Sequence, residues 1–224
     1  SLPHIYSLWN NRNMVKPRFK KSVQKKSFYP KRVLILCHVD LVPPAGRIVK
    51  KSKRMGCPWL TEYDVLKALT DLGHEVEIYG VWNSISEIEL VLRRFNPDTV
   101  FNLMEEFNGE TCNEHSARGL LEMLGAKVTG ASSKSLLLCR DKSLTKIILR
   151  SVFVPTPDYQ TFKFGQIPQK EPDLSFPLIV KCLNLEASTG ISRASIVKTF
   201  PKLKERIKWL HDKYKTDVIC EEFI

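Results

Sequence analysis

The stretch PLIVKCLNLEASTGIS (177–192) ends a strand-like apolar run on a lysine, Lys181, and then turns through Glu186-Ala187-Ser188-Thr189-Gly190, residues with little side chain. Small residues let a backbone approach a ligand closely, and consecutive N–H groups then form an anion-binding concavity. Ser188 and Thr189 add hydroxyl donors, and Lys181 adds a mobile positive charge suited to phosphate oxygens. The plainer alternative is a hairpin tip with a lysine stem lying along apolar surface. Upstream, LLLCRDKSLTK (136–146) places Asp141-Lys142 at the start of a helix, from which Lys142 can reach the same phosphate from the opposite side. Downstream, VICEEFI (218–224) carries Glu221 and a strand end whose backbone groups can pair with the edge of a base. The P-loop pattern G-x-x-x-x-G-K-[ST] is missing.

The elements that must hold these groups follow from periodicity. KRVLILC (31–37), HEVEIYGV (74–81), DTVFNL (98–103) and AKVTG (126–130) read as strands. They alternate with helices over about 60–72, ISEIELVLRRF (85–95) and a helix carrying Ala117, Leu120, Leu121 and Leu124. Such alternation predicts a small parallel sheet covered by helices. G-x-G-x-x-G is absent after the first strand, where the chain reads HVDLVPPAG. After Gly130 two short helices are expected, the second capped by Asp141 with Leu144, Ile147 and Ile148 on its apolar side. VPTPDYQTF (154–162) reads as a linker. Then come strands at 177–182 and about 193–198, a helix faced by Leu203, Ile207, Leu210 and Tyr214, and a last strand in TDVICEEFI.

Three stretches in particular, VPTP, PLIVK and E-A-S-x-G-I-S, follow the DK pair and precede EEFI in a fixed order. That ordered set resembles the ATP-grasp ligases in the version of the D-alanine–D-alanine ligases. DTVFNL and LLEMLGAKVTGAS (120–132) resemble the N-terminal domain of the same group. The resemblance covers about residues 31–224. It implies a Rossmann-like α/β domain over 31–130, then linker helices and the first α+β subdomain of an ATP-grasp lid over 131–224.

The resemblance also implies roles. Lys142 and Lys181 match lysines that hold ATP phosphates. Glu186, Ser188, Thr189 and Gly190 match the mobile loop that closes over them, with Ser188 as the candidate catalytic hydroxyl. Glu221 matches an acid that accepts from the adenine amino group, and Phe223 and Ile224 match the hinge against the base. The implied activity is ATP- and magnesium-dependent amide formation from a small carboxylate and an amine, through an acyl-phosphate. The family's magnesium ligands are expected beyond residue 224, so the 224 residues alone are expected not to turn over ATP. The substrates stay open, because the family's Gly-Glu-Asp-Gly type loop reads EEFNGETCNEH (105–115) here.

Glu105, Glu106, Glu110 and Glu114 read as the polar face and first turn of a helix, which favours acids. The competing reading is a welcome for a substrate ammonium at the mouth of the sheet. His38, after the first strand, reads as a loop residue, with a general base as the competing reading, and His74 reads as a turn residue.

Charge is uneven. Residues 12–54 hold fourteen Lys/Arg against one acid, Asp40, and the rest of the chain is nearly balanced, so the net +11 is local. The bland reading is a flexible basic extension over 1–30 plus a basic surface loop. The functional alternative is a non-catalytic nucleotide- or anion-binding module with a basic arm, and nucleic acid is disfavoured because no recognisable motif accompanies the charge. No apolar run is long enough for a membrane span. Six cysteines without CxxC pairs read as buried free thiols in a reducing cytoplasm. A homodimer is compatible with all of this.

Overall fold

The computed structural model describes residues 29–44 and 56–224. Most of the basic extension and of the basic 12–54 stretch therefore lies outside the described residues.

Strand β1 (Arg32–His38) is the middle strand of a three-stranded parallel sheet, in the order β2-β1-β3, with β2 at Glu75–Val81 and β3 at Thr99–Asn102. A middle strand of a parallel sheet is covered on both faces, which is why its sequence is an unbroken apolar run. Val33 to Cys37 are all buried. Leu34 and Leu36 pack with Ile88, Val91 and Phe95 of α2 (Ile85–Phe95) and with Ala117 and Leu121 of α3 (Glu114–Met123). Helix α1 (Leu60–Asp71) packs on β1 and β2.

One expectation changes here. AKVTG is not a full strand but a single parallel bridge, Val100 to Val128, held by bonds from Val100 N to Lys127 O and from Thr129 N to Val100 O. In α2 the inward residues are Ile88, Val91 and Phe95, while Ile85 is exposed, because the helix enters the core only after its first turn.

The second sheet is antiparallel, in the order β4-β7-β5-β6. Its strands are β4 (Tyr159–Phe162), β5 (Leu178–Cys182), β6 (Ile196–Val197) and β7 (Val218–Glu222). Helix α6 (Phe200–Tyr214) lays Leu203, Ile207 and Leu210 on it, together with Phe162, Leu178, Val180 and Val218. Pro201 sits in its first turn, as its fixed φ allows. The expected linker contains β4, whose prolines stop short of Tyr159 and whose Phe162 is buried. The strand expected at 193–198 shrinks to two residues after a 3-10 turn at Arg193–Ser195.

Between the sheets run α4 (Ser133–Arg140) and α5 (Lys142–Ser151). The apolar side expected for α5 faces outward: Leu144, Ile147 and Ile148 are all exposed, and its buried residue is Lys146. The cysteines are free, but only Cys37, Cys182 and Cys220 are buried, and Cys112 and Cys139 are exposed. Among the described residues no helix is long and apolar enough to cross a membrane.

Candidate functional site

The alternation of β5 decides where Lys181 goes. Leu178, Val180 and Cys182 point into the core, so Ile179 and Lys181 point to the other face. On the neighbouring strand Glu221 stands opposite Ile179, and Lys181 opposite Ile219. Lys181 and Glu221 are thus a diagonal cross-strand pair on one face, and the Lys181 ammonium lies 3.0 Å from Glu221 Oε1. The other carboxylate oxygen, Oε2, is 2.9 Å from the Lys146 ammonium of α5. Glu221 is buried, which by itself pushes its pKa up. The hydrogen bonds and charges of Lys146 and Lys181 outweigh burial and hold it below the usual carboxylate range. Lys146 also donates to Pro157 O at 3.0 Å and lies over the Tyr159 ring.

Lys142 reaches the same region from the start of α5. Asp141 caps that helix, accepting from the N–H groups of Ser143 and Leu144 at 2.8 and 3.0 Å. The Lys142 ammonium donates to the carbonyls of Leu183 and Leu185, at 3.1 and 2.7 Å. Burial lowers its pKa, and the charge of Lys181 pushes in the same direction, while Glu186 opposes both. The two lysines share one cavity of about 390 Å³, whose walls also include Glu186, Ser188 and Thr189.

The loop over this cavity is strained. Ala187 and Ser188 adopt φ of 51° and 59°, a region that costs an L-residue about 1–2 kcal/mol. Such outliers cluster at ligand-clamping segments. Thr189 N donates to Glu186 O and Ile191 N to Ser188 O, both at 2.9 Å, so part of the expected row of N–H donors is spent on the loop's own turns. The loop's far root is fixed on α6. Gly190 has φ of 75°, and a Cβ there would lie 2.9 Å from Tyr214 and 3.0 Å from Leu210. Arg206, itself buried, donates through Nη2 to Gly190 O and to Ser195 Oγ.

No family model matches the chain. The uncharacterized protein y4sG of Sinorhizobium fredii is 28% identical over 204 residues, 86% of this chain and 58% of that protein. A D-alanine–D-alanine ligase of Aquifex aeolicus is 34% identical over 161 residues, 71% of this chain and 52% of that one. The crystal structure of the D-alanine–D-alanine ligase of Bacillus anthracis complexed with ATP matches with a TM-score of 0.53 at 20% identity, over 87% of this chain and 59% of that one. The chain is an ATP-grasp, D-alanine–D-alanine ligase-like protein. It spans about half the length of the curated relatives it matches.

Within this ATP-grasp chain, Lys142, Lys181, Glu186, Ser188 and Thr189 are brought to one cavity, and Glu221 is tied to it through Lys181. Gly190 lies at the loop's root on α6 instead. Phe223 is exposed and its N–H donates to Pro177 O at 3.0 Å; Ile224 is exposed. Sequence reasoning missed Lys146 and Arg206. The available signal for Lys146 was its i, i+4 spacing from Lys142 in DKSLTK, which puts both on one helix face. Arg206 gave no local signal, because its partners lie on a loop 11 and 16 residues away.

The carboxylates after β3 also fall differently from expectation. Only Glu114 opens a helix, whereas Glu105 and Glu106 line a cavity of about 720 Å³ at the C-terminal ends of the parallel strands. His38 closes β1 rather than lying in a loop. Its Nδ1 accepts from Asp40 N, and its Nε2 stands 3.2 Å from Glu106. His74 sits in the turn before β2 and accepts from Lys31 N.

Proposed function

We propose that this chain carries the nucleotide-gripping part of an ATP-dependent carboxylate–amine ligase. The observation that carries the reading is the convergence of Lys142 and Lys181 on one cavity beneath a strained small-residue loop. In this reading residues 31–130 form the domain preceding the grasp, and 131–224 form the linker helices and the first lid subdomain.

The triphosphate lies between the two ammonium groups, which neutralise its charge and fix its orientation. Glu221 holds Lys181 when no nucleotide is present. When a phosphate oxygen draws Lys181 away, Glu221 Oε1 becomes available to the adenine amino group, while Lys146 keeps the carboxylate ionised. A substrate carboxylate then attacks the terminal phosphorus, releasing ADP and forming an acyl-phosphate. An amine attacks the acyl carbon, expels phosphate and leaves an amide, its surplus proton passing to solvent or a nearby base. Ser188 and Thr189 supply hydroxyl donors to the closing loop.

Relatives of this kind use magnesium with ATP. Among the described residues no group of three or more His, Cys, Asp or Glu side chains could by itself hold a metal ion, and the roles proposed here belong to Lys142, Lys146, Lys181 and Glu221.

The test is ADP release by the gene's full product with ATP and a panel of amino acids and amines. Release that depends on both an added carboxylate and an added amine supports a ligase. ATP binding with no release under any pair supports a binding module instead.

A further inference from the structure

The ligase reading leaves the amine unnamed, and the cavity at the mouth of the parallel sheet carries information about it. Five carboxylates line that cavity: Asp40, Glu62, Glu105, Glu106 and Glu114. Among the described residues no Lys or Arg lines it, and its one basic group, His38, faces Glu106 at 3.2 Å. Glu62 stands out from an ordinary acidic surface. It is 4% exposed in the first turn of α1, lines the cavity, and its buried Oε2 has no hydrogen-bond partner. A buried carboxylate oxygen without a partner is costly unless a ligand completes it.

The acidic lining continues toward the nucleotide site. A neighbouring cavity of about 450 Å³ shares Glu105, Thr111 and Glu114 with this one, and Glu186, Ala187 and Thr189 with the lysine cavity. Arg140 lies along this path, but its guanidinium is engaged by Thr111, donating to the backbone carbonyl at 2.7 Å and to Oγ1 at 2.8 Å. Burial and the charges of Glu186 and Glu105 raise the pKa of Glu114, and the charge of Arg140 pulls the other way.

From these observations we infer that the mouth cavity takes an amine substrate with at least two ammonium groups joined by methylenes, a diamine or diamino acid. This substrate class rests on the ligase reading. One ammonium completes Glu62 and Glu106 at the sheet mouth, and the second amino group, once deprotonated, is presented toward the loop as nucleophile. Leu103, Met104 and Leu136 supply apolar wall for the methylenes. No three of these acids converge closely enough for a metal ion among the described residues, whereas linked ammonium groups can reach separate carboxylates. A zwitterion with one ammonium would leave most of the wall charge unanswered.

The test is calorimetric titration of the 224-residue chain with 1,5-diaminopentane and with 1-aminopentane. The diamine should bind at least about tenfold more tightly, and Glu62→Gln should lose about tenfold or more, the ordinary loss for a charged hydrogen bond. Glu106→Gln is the second variant, and a thermal melt of each confirms folding. Equal affinity for the two amines, or a diamine affinity unmoved in both folded variants, overturns the inference. So does magnesium chloride alone binding with the same dependence on Glu62. ATP titration in parallel separates the readings. A chain that takes ATP but no diamine overturns the substrate class alone, and one that takes the diamine but no ATP overturns the ligase reading alone.

Discussion

Lys181 and Glu221 are joined at 3.0 Å across β5 and β7, and the second oxygen of the same carboxylate is held by Lys146 at 2.9 Å. One acid therefore sits between a lysine exposed to the cavity and a lysine buried in α5. The half-buried, cavity-facing lysine is free to exchange partners, and the buried one is not.

Replacing Lys181 by methionine removes the exchanging partner. ATP affinity should fall by about 1.5–3 kcal/mol, the range for a charged hydrogen bond, or about ten- to a hundredfold. Calorimetric titration reads this directly, and unchanged affinity would remove Lys181 from the site.

Replacing Lys146 by methionine leaves Glu221 buried with half its compensation. Breaking a buried pair costs about 3–5 kcal/mol where both charges are dry, and urea unfolding should show a loss toward the lower end, since Lys181 remains. A loss within a few tenths of a kcal/mol would contradict the role assigned to Lys146.

The pH dependence of Glu221 has a definite sign. Its folded pKa lies below its unfolded one, so its contribution is full above the usual carboxylate range and is lost as pH falls through the folded value. The difference in melting temperature between the parent chain and Glu221→Gln should be largest above about pH 5 and shrink on acidification. A difference that grows toward acid would contradict the pairing.

Gly190→Ala tests the loop's root. The new methyl meets Tyr214 and Leu210 at a left-handed φ, so stability should fall by about 2 kcal/mol or more. Urea unfolding measures it, and an alanine variant as stable as the parent would mean that the loop can leave α6 at no cost.

Thiol labelling checks burial residue by residue. Burial pushes Cys37 up to about 12 and Cys220 up to about 11, so neither should react with an aromatic disulfide reagent at pH 8 in the folded chain. Cys112 and Cys139 should react. Peptide mapping of the labelled sites distinguishes the two sets.

What could be read from the sequence was what repeats locally. The unbroken apolar run of β1, the lysine that ends the apolar run of β5 and the 3.6-residue face of α6 each needed only a few neighbouring residues. Asp141 could be read as a cap because its partners are two and three residues away. The errors arose where tertiary context overrides pattern. The apolar residues of α5 look like a core face, yet the helix turns Lys142 and Lys146 inward, where carbonyls and Glu221 satisfy them. Prolines disguised the start of β4, and AKVTG had the composition of a strand but room for only one bridge. Glu221 was found as an acid near a hinge, but its double pairing joins residues 75 and 40 positions apart and has no local signature.

The most direct test is a crystal structure of the chain with a non-hydrolysable ATP analogue. The Lys181 ammonium should have left Glu221 for a phosphate oxygen, with Lys142 contacting the same triphosphate and the loop of Ala187 and Ser188 folded over it. A nucleotide bound elsewhere, or Lys181 still paired with Glu221 beside an occupied site, would contradict the account.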